Sequence, residues 1–204
     1  MSSNGFSTDK DVLAYLLEAA ESGRPIEEVE KDLWNIYGCK RAVLAMDSSG
    51  FSRISESHGV AYFLSALMKA RKVIEAVLKE FHCLHYRFEA DNLHADFESP
   101  TEALRAALSI NEALKMAQIP ISDNEYFRVC VGIGYGELLM AGREGVYGNE
   151  MNRASRLGED TAKPREILLT EEAFAHLDNS LAEDFSKKSF EQSGTALTYY
   201  RLKL

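Results

Sequence analysis

Residues 41–52, Arg41-Ala42-Val43-Leu44-Ala45-Met46-Asp47-Ser48-Ser49-Gly50-Phe51-Ser52, decide how the rest of the chain is read. Arg41 to Asp47 is a short apolar run ending on a carboxylate, the pattern of a buried strand. Ser48 to Ser52 is a tight turn out of it, built from residues that bend a backbone cheaply. A long amphipathic helix follows from about Gly59 to Phe81, with Val60, Phe63, Leu64, Leu67, Ala70, Val73, Ile74 and Val77 on its apolar side. Cys83 to Glu89 and Leu93 to Phe97 then read as a hairpin around Ala90-Asp91-Asn92. Ser99 and Pro100 mark the cap and first turn of a helix running to about Met116.

Further along, Phe127 to Gly134 and Glu137 to Ala141 are expected to form a second hairpin, with the glycines at its turn. Asn149 to about Glu159 is a short helix, Glu166 to Leu169 a strand and Glu171 to Leu177 a helix. Phe185 to Phe190 with Thr198 to Leu202 makes a last hairpin. Before the opening strand, about Asp9 to Tyr37 is helical. It is capped by Thr8, broken at Gly23-Arg24-Pro25, and resumes through Ile26, Val29, Leu33 and Ile36 until Gly38. The order after these helices is β-α-β-β-α-β with additions. That is an α+β, ferredoxin-like layout, an antiparallel sheet with helices on one face. Residues 1–38 are expected as an N-terminal helical extension, for packing or dimerisation, and 39–204 as the functional domain.

Composition bounds the function classes. The 204 residues are 46% hydrophobic and 27% charged, ordinary for one globular domain. No apolar run approaches the roughly 18 residues that cross a bilayer, and Met1 to Gly5 lacks the pattern of a signal peptide. Three cysteines, Cys39, Cys83 and Cys130, without CxxC spacing, read as reduced thiols of a cytoplasmic protein. A net charge of −9 argues against nucleic-acid and membrane partners.

Asp47 and Asp91 are the candidate metal ligands. If the first two core strands are neighbours, both carboxylates reach one end of the sheet. Two hard oxygens there suit Mg²⁺ or Mn²⁺, and the turn after Asp47 offers backbone N–H groups to phosphate oxygens. On these residues alone, a helix cap at Asp47 and a turn residue at Asp91 is the reading to prefer.

Four segments in order narrow the choice. Met46-Asp47-Ser48-Ser49-Gly50-Phe51-Ser52 resembles the FxDIxGFT segment of class III adenylate and guanylate cyclases. Ala90-Asp91-Asn92-Leu93-His94-Ala95-Asp96-Phe97 is similar to their GDxxxAxF hairpin. Val131 to Glu137 resembles their GIxxGxV strand pair, and Tyr147 to Leu157 their WGxxVNxASRM helix. The resemblance implies two divalent metal ions, Mn²⁺ or Mg²⁺, at Asp47, Asp91 and the Ser48 carbonyl. Gly50, Phe51 and Ser52 would line the triphosphate. Asn152 would orient the ribose, and Arg156 would stabilise the pentavalent transition state. It also implies a homodimer whose sites form between subunits, with aspartates from one chain and Asn152 and Arg156 from the other.

The base-reading positions depart from the family. Where adenylate cyclases place Lys and guanylate cyclases Glu, this chain has Arg87; where adenylate cyclases have Asp, it has Gly145. Arginine presents donors only, which suits the acceptor-rich edge of uracil or cytosine. In this the chain resembles the pyrimidine cyclases of the bacterial Pycsar anti-phage system. The resemblance implies UTP, or else CTP, as substrate and a separate effector that senses the cyclic product. A strand-edge salt bridge at Arg87 with the base read elsewhere, an adenylate cyclase with an atypical base pocket, and a catalytically silent nucleotide-binding domain remain as alternatives. A phosphate-binding lysine expected near the tail falls on Ser193; Lys187, Lys188 and Arg143 are its possible substitutes. His82-Cys83-Leu84-His85 lacks a second pair at zinc spacing and reads as a core-facing thiol beside partly exposed histidines.

Overall fold

The computed structural model describes residues 12–140, 145–192 and 195–203. Helices α1 (Val12–Glu21) and α2 (Ile26–Tyr37) form the N-terminal pair. Val12, Ala19, Val29, Leu33 and Tyr37 are buried between them, and Leu139 packs against this cluster. Arg24 ties the pair together, donating to Asp32 at 2.6 Å and to the Tyr15 hydroxyl at 2.9 Å. Thr8 lies outside the described residues.

Strand β1 (Gly38–Ser48) is longer than expected and begins where α2 ends. Helices α3 (Phe51–His58) and α4 (Val60–Glu80) follow. The hairpin β2 (His85–Glu89) and β3 (Asn92–Phe97) leads to α5 (Pro100–Ala117). Ser99 caps α5 as anticipated: its hydroxyl accepts from the Glu102 N–H while the Glu102 carboxylate accepts from the Ser99 N–H, a reciprocal pair that satisfies two helix-end donors. A short hairpin, β4 (Pro120–Ser122) and β5 (Glu125–Tyr126), precedes β6 (Val129–Met140) and β7 (Val146–Tyr147). Then come α6 (Asn149–Ser155), a π-helical turn (Arg156–Thr161), β8 (Ile167–Thr170), α7 (Glu171–Ala175) and α8 (Asn179–Ala182). The chain closes with β9 (Phe185–Gln192) and β10 (Thr195–Leu202).

The main sheet runs β2-β3-β1-β6-β8-β10-β9, with β7 added beside β6. Its first four strands have the order of a ferredoxin-like sheet. Two expectations need correction. The sheet is mixed, because β8 lies parallel to β6. It also carries helices on both faces. Ala42, Leu44 and Met46 of β1 point into the main core with Phe63, Leu67, Leu104 and Ile110 of α4 and α5. Val43 and Ala45 point the other way, onto Met151 and Ala154 of α6. A strand covered on both sides reads as an unbroken apolar run, which is why Arg41 to Asp47 is so legible.

The second hairpin expected around Gly134 does not form. Residues 129–140 are one continuous strand pairing along the whole of β1. The glycines serve a close approach rather than a turn: a Cβ on Gly132 would collide with the Ala154 carbonyl, and one on Gly134 would lie 2.5 Å from the Glu150 carbonyl oxygen. Their absent side chains let α6 lie directly on the sheet.

Candidate active site

The end of β1 and the tip of the β2–β3 hairpin bring the two aspartates together. The β1–β3 register pairs Met46 with Leu93, so the hairpin turn falls beside Asp47 and Ser48. The buried Ser48 hydroxyl donates to Asp91 at 2.8 Å. Burial, and next the negative charge of Asp91, push Asp47 up to about 6, and the Glu159 carboxylate adds to the push. A carboxylate held in this way gains from a cation more than a solvated one does. Among the described residues no three His, Cys, Asp or Glu side chains converge on one point. The donor set is two carboxylates beside a strand-end carbonyl. It is a fit for a hard divalent ion that keeps water or phosphate in its remaining positions.

Glu159 and His94 were not singled out from the sequence. Tertiary contact brings them near: His94 pairs with Ala45, two residues before Asp47, and Glu159 of the π-helical turn acts on Asp47 by its charge. His94 Nε2 lies 3.6 Å from the Glu159 carboxylate. Together with Ser155 it holds the Glu159 carboxyl below the usual range.

Beyond Ser48 the chain turns through Gly50 in the left-handed region, φ 96°, where glycine is unstrained. The Gly50 carbonyl accepts from Ile54 at 2.9 Å and the Ser49 N–H donates to the Arg128 carbonyl at 2.9 Å, so the turn is held at both ends. Phe51 packs edge-on against Phe63, with 5.1 Å between ring centres, and Ser52 is exposed. The first-turn amides of α3 have no intrahelical acceptor and open onto this turn.

Asn152 and Arg156 lie four residues apart, the helical spacing that puts both on one side, and both are exposed. No side-chain hydrogen bond or ion pair among the described residues joins either to Asp47 or Asp91. The chain thus brings Asp47, Ser48 and Asp91 together and leaves Asn152 and Arg156 exposed and unbonded to them among the described residues. Beneath them is a residue the sequence reading passed over. Glu150 is buried at 6% exposure. Its carboxylate accepts from the Thr170 hydroxyl at 2.6 Å, the Tyr135 N–H at 3.2 Å and Arg153 at 2.6 Å. Its side chain occupies the room that Gly136 leaves. A buried charge with three donors is satisfied, and this one fastens α6 to β6 and to the end of β8. The only advance signal is a glutamate on a helix opposite a glycine-rich strand.

Arg87 and Gly145, the two departures, are neighbours in space: a Cβ on Gly145 would lie 3.3 Å from the Arg87 guanidinium. Arg87 also pairs with Glu89 at 2.9 Å, across an exposed edge where such a pair is weak. Of the tail candidates, Lys187 is engaged by Glu171 at 3.0 Å and sits over the Tyr200 ring. Lys188 stands across from Tyr199 in the β9–β10 ladder. Ser193 and Arg143 lie outside the described residues. Cys83 is half-buried, pushed up to about 12 by burial, and His85 faces Asp96 at 3.2 Å, in keeping with a structural role. Ala90 adopts φ 49°, so the family glycine it replaces would have relieved strain.

Comparison with known proteins agrees with this architecture. A protein of Rhizobium meliloti (strain 1021) assigned as adenylate cyclase 3 is 19% identical over 151 residues, which make up 74% of this chain and 25% of that protein. The chain thus spans about a quarter of the length of that relative. The adenylate/guanylate cyclase/hydrolase of Silicibacter pomeroyi superposes with a TM-score of 0.68 at 20% identity, covering 81% of this chain and 96% of that one. The adenylyl cyclase CyaB of P. aeruginosa gives 0.65 at 16% identity, covering 81% and 95%. The guanylate cyclase domain of RhGC from Catenaria anguillulae, solved in complex with GTP, gives 0.64 at 17%, covering 80% and 95%. At such identities the likeness establishes the fold and leaves activity to the site. The model of the adenylate and guanylate cyclase catalytic domain, however, matches residues 40–203, from β1 through β10, and the chain belongs to that family.

Proposed function

We propose that the chain closes a nucleoside triphosphate to its 3′,5′-cyclic monophosphate, with residues 39–204 as the catalytic domain, α1 and α2 as an extension, and a homodimer as the working unit. The carrying observation is that Asp47, Ser48 and Asp91 gather at one end of β1 while Asn152 and Arg156 are exposed, which supports a site completed by a second chain. Two-fold pairing of chains is the simplest way to complete such a site twice. Two divalent ions held by Asp47, Asp91 and the Ser48 carbonyl would supply activation of the ribose 3′-hydroxyl and neutralisation of phosphate charge. The chain's own groups position and stabilise. Asn152 orients the ribose. The Gly50-Phe51-Ser52 turn binds phosphate oxygens through its amides. As the 3′-oxygen bonds to the α-phosphorus, the bond to the β-phosphate oxygen breaks, pyrophosphate leaves and the hydroxyl proton passes to solvent. Arg156 meets the charge that develops on the way.

For the base, Arg87 stands against Gly145, the position where adenylate cyclases carry an aspartate and this chain has no side chain. The donors of the Arg87 guanidinium favour UTP, or else CTP, and with that a role like that of pyrimidine cyclases, whose product is sensed by a separate effector in anti-phage defence. The Arg87–Glu89 pair favours a second reading, in which donor and acceptor together take adenine. Purified protein given Mn²⁺ and equal ATP, GTP, CTP and UTP decides between them. Mainly cyclic UMP or cyclic CMP supports the first reading and mainly cyclic AMP the second. No cyclic product at all, with every activity-supporting ion tried, overturns the cyclase reading itself.

A further inference from the structure

A cavity of about 340 Å³ opens beside the C-terminal end of α5, where the segment entering β6 and the loop before β8 meet that helix. Three cations line it, each from a different segment: Lys115 in the last turn of α5, Arg128 just before β6, and Arg165 just before β8. In a chain of net charge −9 this is a local reversal of sign. Among the described residues, Glu112 is the one carboxylate paired with them, 3.2 Å from Lys115 and 3.4 Å from Arg165. The Arg128 side chain has no hydrogen bond or ion pair among the described residues. One anion against three cations leaves positive charge unanswered.

Arg165 is unusual in two further respects. Its Nε is buried without a hydrogen-bond partner among the described residues, a state that costs free energy unless a ligand or water relieves it. Its backbone sits at φ 72°, a conformation that large side chains avoid and that tends to persist at functional positions. The strain is held in place from two sides: the Asn111 side-chain amide donates to the Arg165 carbonyl at 3.1 Å, and the Arg165 N–H donates to the Val129 carbonyl at 2.7 Å. Leu114 and Tyr126 supply apolar wall.

We propose that this cavity is a second binding site, for a small phosphate-bearing molecule. Guanidinium forks match phosphate oxygens and Lys115 adds a point charge. The volume lies at the small end of ligand pockets and suits a phosphomonoester or pyrophosphate. The site is coupled to the catalytic turn through one strand. The Arg128 carbonyl holds the Ser49 N–H, and Val129 pairs with Ser48. A ligand that draws Arg128 inward therefore acts on the turn that follows Asp47. The inference rests on the cavity alone and does not depend on the cyclase reading.

The test is calorimetric titration of the full chain with inorganic phosphate and with pyrophosphate, in metal-free buffer containing EDTA, with ionic strength held constant by NaCl. Saturable binding of one anion per chain is expected, weakened at least about tenfold by Arg128→Gln and by Lys115→Gln and unchanged by Arg156→Ala. Both cavity variants change exposed side chains and leave the core intact, and melting temperature verifies folding. Absence of saturable binding overturns the proposal. So does binding lost in Arg156→Ala but kept in Arg128→Gln, which would place the anion at the catalytic surface. Failure of the cyclase assay leaves this binding untouched, so the two readings fall separately.

Discussion

The carboxylate end of β1 and the exposed face of α6 belong to the same chain but are built in opposite ways. Asp47 and Asp91 are held close, partly buried and hydrogen-bonded through Ser48, so that their mutual repulsion is stored in the fold. Asn152 on α6 and Arg156 at the start of the π-helical turn stand in the open, and the buried Glu150 fastens α6 from beneath. On the proposed reading the first region would take the cations and the second would meet a partner chain. The contrast lies in how each is held: the strand end keeps two carboxylates close where that is costly, and the clamped helix leaves its polar side chains exposed.

Breaking the first region should have the largest effect. Asp47→Ala is expected to lower turnover on the order of 10³-fold while slightly raising the melting temperature of the metal-free protein, because a repelled carboxylate is gone. Activity and thermal melts on the same preparation check both signs.

Undermining the second region comes next. Glu150→Ala leaves Thr170, Arg153 and the Tyr135 N–H without their acceptor and should cost about 3 kcal/mol of stability. As α6 loosens, kcat should fall more than KM rises. Glu150→Gln, which keeps an acceptor for Thr170, should recover part of both. Equal loss in the two variants would mean that the charge, rather than the positioning, matters.

A titration sharpens the comparison further. Asp47 has its folded-state value raised to about 6, above an ordinary aspartate near 4. Its contribution to stability is therefore full below about pH 4 and lost as the pH rises through about 6. Metal-free protein should lose melting temperature over that window by more than Asp47→Asn does, and Mn²⁺ should restore it at pH 7 but not at pH 4. The smallest effect is expected at the hairpin tip: Ala90→Gly relieves a left-handed alanine and should add up to about 1 kcal/mol, read from denaturant unfolding.

Much of this was legible in the sequence, for definite reasons. Strand β1 is buried on both faces and announces itself as an apolar run; the Ser99 capping box and the α4 stripe follow local rules. Strand β6 was misread because Gly132, Gly134 and Gly136 look like a turn, whereas their purpose is set by a helix arriving later in the chain. The strands β4, β5 and β7 are too short for any periodicity to reveal. In the site, Asp47 and Asp91 were found by motif and joined by register. Glu150, His94 and Glu159 carry no local pattern, because the partners that give them meaning come from segments distant in sequence.

The split between the two regions is tested most directly by mixing two inactive variants. Asp47→Ala keeps an intact α6 surface, and Arg156→Ala keeps an intact carboxylate end. If each site takes one half from each chain, an equal mixture exchanging subunits places both lesions at one site of a heterodimer and neither at the other. Half the dimers are then mixed, with one working site of two, so the mixture should recover about a quarter of wild-type activity. A mixture that stays as inactive as its components, while size-exclusion and mass measurements show that mixed dimers have formed, would contradict the two-chain site.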